Sequence, residues 1–422
     1  MNGLQSLILL LLSYCSCRTI EAPKTQPALL IVSYDGFKQD YLNWNITPNL
    51  EQFREMGTSA EFLKPVFPTT TMVNHFSIAT GLYPENHSVL GKANYDSKLH
   101  RQLKYSYELF HYDESIVPIW TANELAGGHS GCMMWSGSNF EFKGKNCTFT
   151  MKLDKSVSFK ERVDIVMGWF THKETPANLV MMYIEQPDSD AHKFGPDSLQ
   201  AMEKVSEVDN LAGYIQRKLV EYQLENRINV IHLSDHGMVG VGKSNIIDLT
   251  QFLKNGTYQM YGSSPVFQVV PIDHDVEQEI FTNLTKAAQQ NGHFKVFNQE
   301  NLPTRWHANN ARRMGPIITV ADINYGFHDL YRYPNTTVHG VHGYDNAEPA
   351  MNAFFMAKGP LIASGKRLST VNNIDLYNLF CLILTIECRQ NDGSNNPSIW
   401  NELFVNVNND ENERSNYIPF HS

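Results

Sequence analysis

Long apolar runs are missing from this sequence, and so are clusters of like charge. No stretch downstream of the first residues reaches the roughly 18 to 20 consecutive apolar residues that a membrane-spanning helix needs. The best candidate, "LFCLILTIEC" (Leu379 to Cys388), stops short and ends in charge. Lysine and arginine number 34 against 44 acidic residues and form no basic block; the formal charge of −10 argues against a surface that coats nucleic acid. There is no G-x-S-x-G elbow, which removes the usual signature of a Ser-His-Asp hydrolase. No internal repeat or low-complexity block occurs, so solenoid and fibrous architectures fall away. Cysteine is scarce, six in 422 residues.

What remains is the composition of an ordinary globular chain, 42% hydrophobic and 18% charged. "MNGLQSLILLLLSYCSC" has a short apolar run around Leu7 to Leu12 followed by small residues, and reads as a secretory signal over residues 1–17 rather than an anchor. Six N-x-S/T sequons, at Asn45, Asn86, Asn146, Asn255, Asn283 and Asn335, fit passage through the secretory pathway and glycosylation. Beyond the leader four cysteines are left, an even number in an oxidising compartment. Of the three possible pairings, the local one is expected: Cys132 with Cys147 and Cys381 with Cys388. The tail, residues 406–422, is polar. The expected product is a secreted, extracellular protein, unless this chain is one isoform of a membrane-anchored one.

Four apolar runs read as buried strands: "ALLIVSYDG" (Ala28 to Gly36), "NLVMMYIEQPD" (Asn178 to Asp188), "INVIHLSDHG" (Ile228 to Gly237) and "NAFFMAKGP" (Asn352 to Pro360). Nearly continuous hydrophobicity suits strands covered on both faces. Helical patterns separate them, among them "TPNLEQFREMG" and "PDSLQAMEKVSEVDNLAGYIQRKLVEYQ". The alternation predicts an α/β fold, a doubly wound and mostly parallel sheet with helices on both faces, spanning residues 23–405. Within it, residues from about 255 to 340 carry strand, helix and strand patterns of their own and read as a small inserted α+β lobe.

In such a sheet the ligand crevice lies beyond the carboxyl ends of the strands, where Asp35, Asp188 and Asp235 fall. His192 follows Asp188 by four residues, one helical turn on; His236 adjoins Asp235; "VHGVHGYDN" adds His339 and His342. Carboxylates and imidazoles without thiolates suit zinc in a catalytic role. Singly, "DGF" is a plain strand exit and "SDHG" a common turn; their convergence on one sheet edge is the signal. "FPTTTMVNHFSIATG" (Phe67 to Gly81) adds three threonines before a helical pattern starting near Thr71. A cap whose hydroxyl satisfies an orphan N–H is the plain reading. A threonine nucleophile is the other, and it needs a metal or base to activate it.

Taken together, "VSYDGF", "FPTTTMVNHFSIATGLYPENH", "YIEQPDSDAHKFGP", "LSDHGM" and "HGYDN" resemble, in order, the motifs of the ectonucleotide pyrophosphatase/phosphodiesterase family of the alkaline phosphatase superfamily. The resemblance runs from about Pro27 to about Gly365 and is to the short, catalytic-domain-only members. It implies two zinc ions, one held by Asp188, His192 and His342, the other by Asp35, Asp235, His236 and the Thr71 oxygen. It places the nucleophile on Thr71, through a covalent phospho-threonine, and gives His339 no role. The implied substrates are extracellular nucleotides such as ATP, dinucleoside polyphosphates and dinucleotides, cut to nucleoside 5′-monophosphates.

Three positions bear on specificity. Met72 stands where family members carry an aromatic residue that stacks on the base. Lys92 stands where an asparagine amide serves a phosphate oxygen, with Asn94 two residues on as a substitute. Tyr183 matches a tyrosine of the substrate pocket. A choline or lysophospholipid phosphodiesterase of the same family, and a catalytically weak nucleotide-binding ectoprotein, are the alternative readings. A sulfatase would need a cysteine or serine in a C/S-x-P-x-R setting, which none of Cys132, Cys147, Cys381 or Cys388 provides.

Overall fold

The computed structural model describes residues 27–394 and 396–405; the expected signal segment and the polar tail 406–422 lie outside them. Its centre is an eight-stranded sheet. The order across it is Lys366–Leu368, Thr58–Ala60, Phe355–Lys358, Ile228–Leu233, Ala28–Tyr34, Leu179–Ile184, Ser130–Met133 and Phe149–Met151. Ala28–Tyr34 lies in the middle, parallel to both neighbours, with Leu29 level with Leu179 and with Asn229.

Residues alternate across this central strand with the period of two that a pleated strand requires. Leu29 and Ile31 enter one core cluster, with Phe76, Ile78, Trp120, Leu376 and Phe380 from helices on that face. Leu30, Val32 and Tyr34 enter another, with Leu50, Val163, Val166, Val205 and Leu211 from helices on the opposite face. Both faces are dry, which is why the strand sequences lack polar alternation. Truncating one such side chain to alanine costs about 2–5 kcal/mol.

One expected strand differs in direction. "NAFFMAKGP" supplies Phe355–Lys358, which runs antiparallel to both of its neighbours, Ile228–Leu233 and Thr58–Ala60. The reason is where the chain comes from. It has just passed His342 at the carboxyl edge of the sheet and enters with Phe355 opposite Leu233, so it must run back down. The sheet is therefore mixed, mostly parallel.

Residues between Asp235 and His342 build a four-stranded antiparallel sheet, ordered Tyr258–Ser263, Val266–Pro271, Ile317–Ala321, Phe294–Asn298. The helix Glu277–Asn291 packs on it through Ile280, Leu284 and Ala287, in a core cluster of its own with Val269 and Ile317. Among the described residues no helix is long and apolar enough to cross a membrane. Cys132 and Cys147 form a disulfide. The second expected pair does not: Cys381, buried in the helix Leu376–Leu384, and the half-buried Cys388 are both thiols here. Burial, with Cys388 beside it, pushes the Cys381 thiol well up and keeps it protonated. Of the sequon asparagines, Asn45, Asn86, Asn146, Asn255 and Asn335 are exposed, whereas Asn283 is half-buried on the helix Glu277–Asn291.

Candidate active site

Every carboxylate and imidazole expected at the strand ends is present at one edge, except His339. Asp35 follows the central strand, Asp235 and His236 follow Ile228–Leu233, and Asp188 opens the helix Asp188–Phe194 after Leu179–Ile184. The long connection through the small lobe then returns His342 to the same place. His339 instead is buried on Val338–Val341, which pairs with Val239–Gly242, and belongs to neither group.

Two close approaches of backbone make the cluster possible. Gly36 turns the chain after Asp35 at a φ of 66°, and a Cβ there would lie 2.8 Å from the Asp188 Cβ. At Gly340 a Cβ would lie 2.3 Å from the Ala191 carbonyl, so only glycine lets the His342 strand press against the Asp188–Phe194 helix.

The ligand atoms form two groups of three. In one, Asp188 Oδ1 lies 3.3 Å from His192 Nε2 and 3.5 Å from His342 Nε2, and the two imidazole nitrogens are 3.2 Å apart. In the other, His236 Nε2 lies 3.4 Å from Asp35 Oδ1 and 3.2 Å from Asp235 Oδ2. Four ligands placed tetrahedrally at about 2.0–2.1 Å from one ion are about 3.3 Å from each other, the spacing seen in both groups. The fourth corner of the second group is the Thr71 hydroxyl, 3.3 Å from Asp35 Oδ1 and 3.2 Å from His236 Nε2.

Proton positions agree with this geometry. Nδ1 of His192, His342 and His236 lies 2.7, 3.0 and 2.9 Å from the carbonyls of Gly340, Thr69 and Gly237. A carbonyl only accepts, so each Nδ1 carries a proton, and a neutral ring then presents its Nε2 lone pair to the cluster. Asp235 spends Oδ1 on the N–H groups of Gly36 and His236, at 3.1 and 3.0 Å. Asp235 Oδ2 and Asp188 Oδ1 are buried without any hydrogen-bond donor. Carboxylate oxygens and imidazole nitrogens facing one another in this way suit cations; burial lowers His192, but the Asp188 carboxylate beside it outweighs that and takes it up to about 9. The carboxylates crowd one another. Burial, then Asp188 and Asp235, pushes Asp35 well up, and burial takes Asp235 to about 8. Burial holds His236 well down and takes His342 down to about 4, with the His192 and Lys92 charges adding to the latter.

The three threonines have three different roles, and none is a side-chain cap. Thr70 is the N-cap residue of the helix Thr71–Thr80, but its hydroxyl makes no cap bond and has no partner. Asn74 does the fastening: its Nδ2 donates to the Thr70 carbonyl at 3.0 Å while its Oδ1 accepts from Val66 N at 2.8 Å. Thr69 Oγ1 donates to the Tyr344 carbonyl and accepts from Gly343 N, both at 3.0 Å, tying the helix start to the His342 loop. Only Thr71 reaches the ligand cluster. Gly81, at a φ of 68°, ends the helix as expected.

The specificity positions fall unevenly. Tyr183 is half-buried and its hydroxyl donates to Asp35 Oδ2 at 2.5 Å, a link that the sequence reading did not include. Met72 is buried in the core cluster beneath the helix rather than presented to solvent. Asn94 is buried too, its Nδ2 turned toward the Gly91 carbonyl. Lys92 is exposed.

Comparison with known proteins agrees with this geometry. Residues 29–345 match the family model of type I phosphodiesterase / nucleotide pyrophosphatase. The chain is 35% identical over 390 residues to human ectonucleotide pyrophosphatase/phosphodiesterase family member 5, covering 91% of this chain and 79% of that protein. To the bis(5′-adenosyl)-triphosphatase of Xenopus laevis it is 33% identical over 376 residues, covering 87% and 80%. Among solved structures, an inactive threonine-to-alanine variant of murine ectonucleotide pyrophosphatase/phosphodiesterase 5 in complex with AMP superposes with a TM-score of 0.82 at 33% identity, covering 90% of this chain and all of that one. The chain belongs to the type I phosphodiesterase/nucleotide pyrophosphatase family, hydrolases of phosphodiester and pyrophosphate bonds.

Proposed function

We propose that this protein is an extracellular nucleotide pyrophosphatase/phosphodiesterase that releases nucleoside 5′-monophosphates, with Thr71 as nucleophile and two zinc ions as cofactors. The observation that carries the proposal is the Thr71 hydroxyl at the open corner of the Asp35, Asp235 and His236 group, beside a second group of the same spacing. Three carboxylates and three imidazoles without sulfur match zinc. When bound, two such ions supply Lewis acidity that lowers the nucleophile's pKa and neutralises charge on the phosphoryl oxygens.

The chain's own residues do the rest. Asp35 Oδ1 accepts from the Thr71 hydroxyl and so points its oxygen into the site. Thr71 is the first residue of its helix, so a phosphate meeting it also meets unpaired backbone N–H groups and the positive end of the helix dipole. Attack by Thr71 Oγ1 forms its bond to phosphorus as the bond to the leaving oxygen breaks; water then cleaves the phospho-threonine. A nucleotide as substrate is favoured by the AMP held in the murine relative's structure.

The direct test is hydrolysis of the nitrophenyl ester of thymidine 5′-monophosphate. Activity is expected to vanish on chelation and in Thr71→Ala, and to persist in Thr70→Ala; the reverse pattern in the two variants refutes the assignment. A parallel assay of ATP, a dinucleoside polyphosphate, a dinucleotide and a choline phosphodiester identifies the substrate. Turnover of the choline ester alone refutes the nucleotide reading.

A further inference from the structure

His75 is wholly buried one helical turn after Thr71, and neither ligand group includes it. Its Nδ1 lies 2.8 Å from the Thr71 carbonyl, and its Nε2 lies 2.9 Å from Ser33 Oγ. The carbonyl fixes the proton on Nδ1, so Nε2 accepts from the serine hydroxyl. Asp235 Oδ2 also lies 3.3 Å from Nδ1 but receives no hydrogen bond from it. The ring is walled by Trp135 and Tyr183, both edge-on, at 4.7 and 5.2 Å, and the Trp135 Nε1 donates to the His75 carbonyl at 3.2 Å.

The spacing of these contacts gives them meaning. Positions 71 and 75 lie on one helix face, about 6 Å apart along the axis at about 1.5 Å per residue. Ser33 and Asp35 lie on one face of the strand end, about 6.6 Å apart at about 3.3 Å per residue. Thr71 meets Asp35 and His75 meets Ser33, so helix and strand, running in opposite senses, are pinned at two points of matched separation. Asn74 and Thr69 fasten the helix start to neighbouring loops, and the His75–Ser33 contact adds a second side-chain link to the strand that carries Asp35, which fixes where the Thr71 oxygen meets the site.

We propose that His75 and Ser33 form a positioning pair that sets the attack geometry of Thr71. This rests on Thr71 being the nucleophile. The expected loss in Ser33→Ala is about tenfold in kcat with KM within about twofold, since misplacing a reacting atom slows the chemical step without weakening ground-state binding. His75→Asn keeps a donor for the Thr71 carbonyl, as Asn74 does for Thr70, and loses the serine link together with the ring's edge contacts to Trp135 and Tyr183. Its loss in kcat should be at least that of Ser33→Ala. His75→Phe removes both links and should lose about a hundredfold. The double variant Ser33→Ala/His75→Phe should fall no more than about threefold below His75→Phe, because the partner contact is already gone.

A readout independent of turnover is nitrogen NMR of the imidazole, where Nδ1 should be protonated and Nε2 not. The proposal is overturned if Ser33→Ala keeps kcat within twofold of the parent, if the two losses multiply in the double variant, or if the proton sits on Nε2. Thr71→Ala, run alongside, separates the two claims. Should it stay active, the nucleophile reading itself has failed; should it be dead while Ser33→Ala is unimpaired, only the positioning pair has.

Discussion

Replacing Tyr183 by phenylalanine isolates one hydrogen bond. The hydroxyl donates to Asp35 Oδ2 at 2.5 Å, while Asp35 Oδ1 serves both Thr71 and the His236 group. Phenylalanine keeps the ring and its edge contact with His75. What is lost is a donor to a buried carboxylate, and Asp35 is only 2% exposed, so water cannot replace it. A hydrogen bond to a charged group contributes about 1.5–3 kcal/mol, or about 10–100-fold, which is also the usual cost of removing an outer partner of a metal ligand. Without the tyrosine donor, burial and the neighbouring Asp188 and Asp235 favour protonation of Asp35 still more. On the two-zinc reading proposed above, the variant should therefore lose about 10–100-fold in zinc affinity and in kcat at subsaturating zinc, with KM little changed. Zinc titration of the chelated protein, followed by steady-state kinetics at saturating zinc, measures both. If instead KM rises while zinc affinity and kcat hold, Tyr183 contacts substrate and the Asp35 argument is wrong.

Two further perturbations test how the site is supported. Asp96 is fully buried and accepts from Arg312 Nη2 at 2.8 Å and Arg313 Nε at 3.0 Å, tying the hairpin beyond Lys92 to the small lobe. Burial raises this carboxyl, but the two guanidinium groups outweigh it and hold it below the usual range. Its stabilisation is therefore present above the unfolded-state pKa and lost as pH falls through the lower folded one. Asp96→Asn should cost about 3 kcal/mol at pH 7 in urea unfolding, and the gap should narrow in acid; a gap independent of pH refutes the ion-pair account. Gly340→Ala places a Cβ 2.3 Å from the Ala191 carbonyl and must push the His342 strand off the Asp188–Phe194 helix. On the two-metal reading proposed above, one of two metal ions should be lost, read by atomic emission, while the other remains; retention of both shows that the backbones have slack.

How much of this was legible in the sequence depends on what kind of contact is involved. The six residues of the two groups were legible because carboxylates and imidazoles are costly to bury and stand out at the ends of apolar strands. Thr71 was not separable from Thr69 and Thr70 by composition. Its place came from the motif resemblance, and the structure shows why the three differ: successive residues at a helix start point in different directions, and only the first helical one faces the Asp35 turn. The antiparallel course of Phe355–Lys358 was hidden because a strand dry on both faces reads alike in either direction. The cysteine pairs were read from spacing alone, and spacing does not carry the geometry of a helix terminus such as that between Cys381 and Cys388.

The layer behind the ligands was illegible for a deeper reason. Ser33, His75 and Tyr183 act through distances between a helix and a strand far apart in the chain, and each has an ordinary local reading: a strand serine, a core histidine, a strand tyrosine. Their pattern appears only once the rise of a helix over four residues is laid against that of a strand over two. That match also explains why Thr71, the proposed nucleophile, sits at the first position of its helix. A hydroxyl one turn further in would leave the histidine contact with no strand residue to meet, because the central strand has already turned at Gly36 on one side and reaches the apolar Ile31 on the other. Helix start, strand end and nucleophile therefore coincide for one geometric reason, and a substitution that moves any of the three should be felt in the chemical step before it is felt in binding.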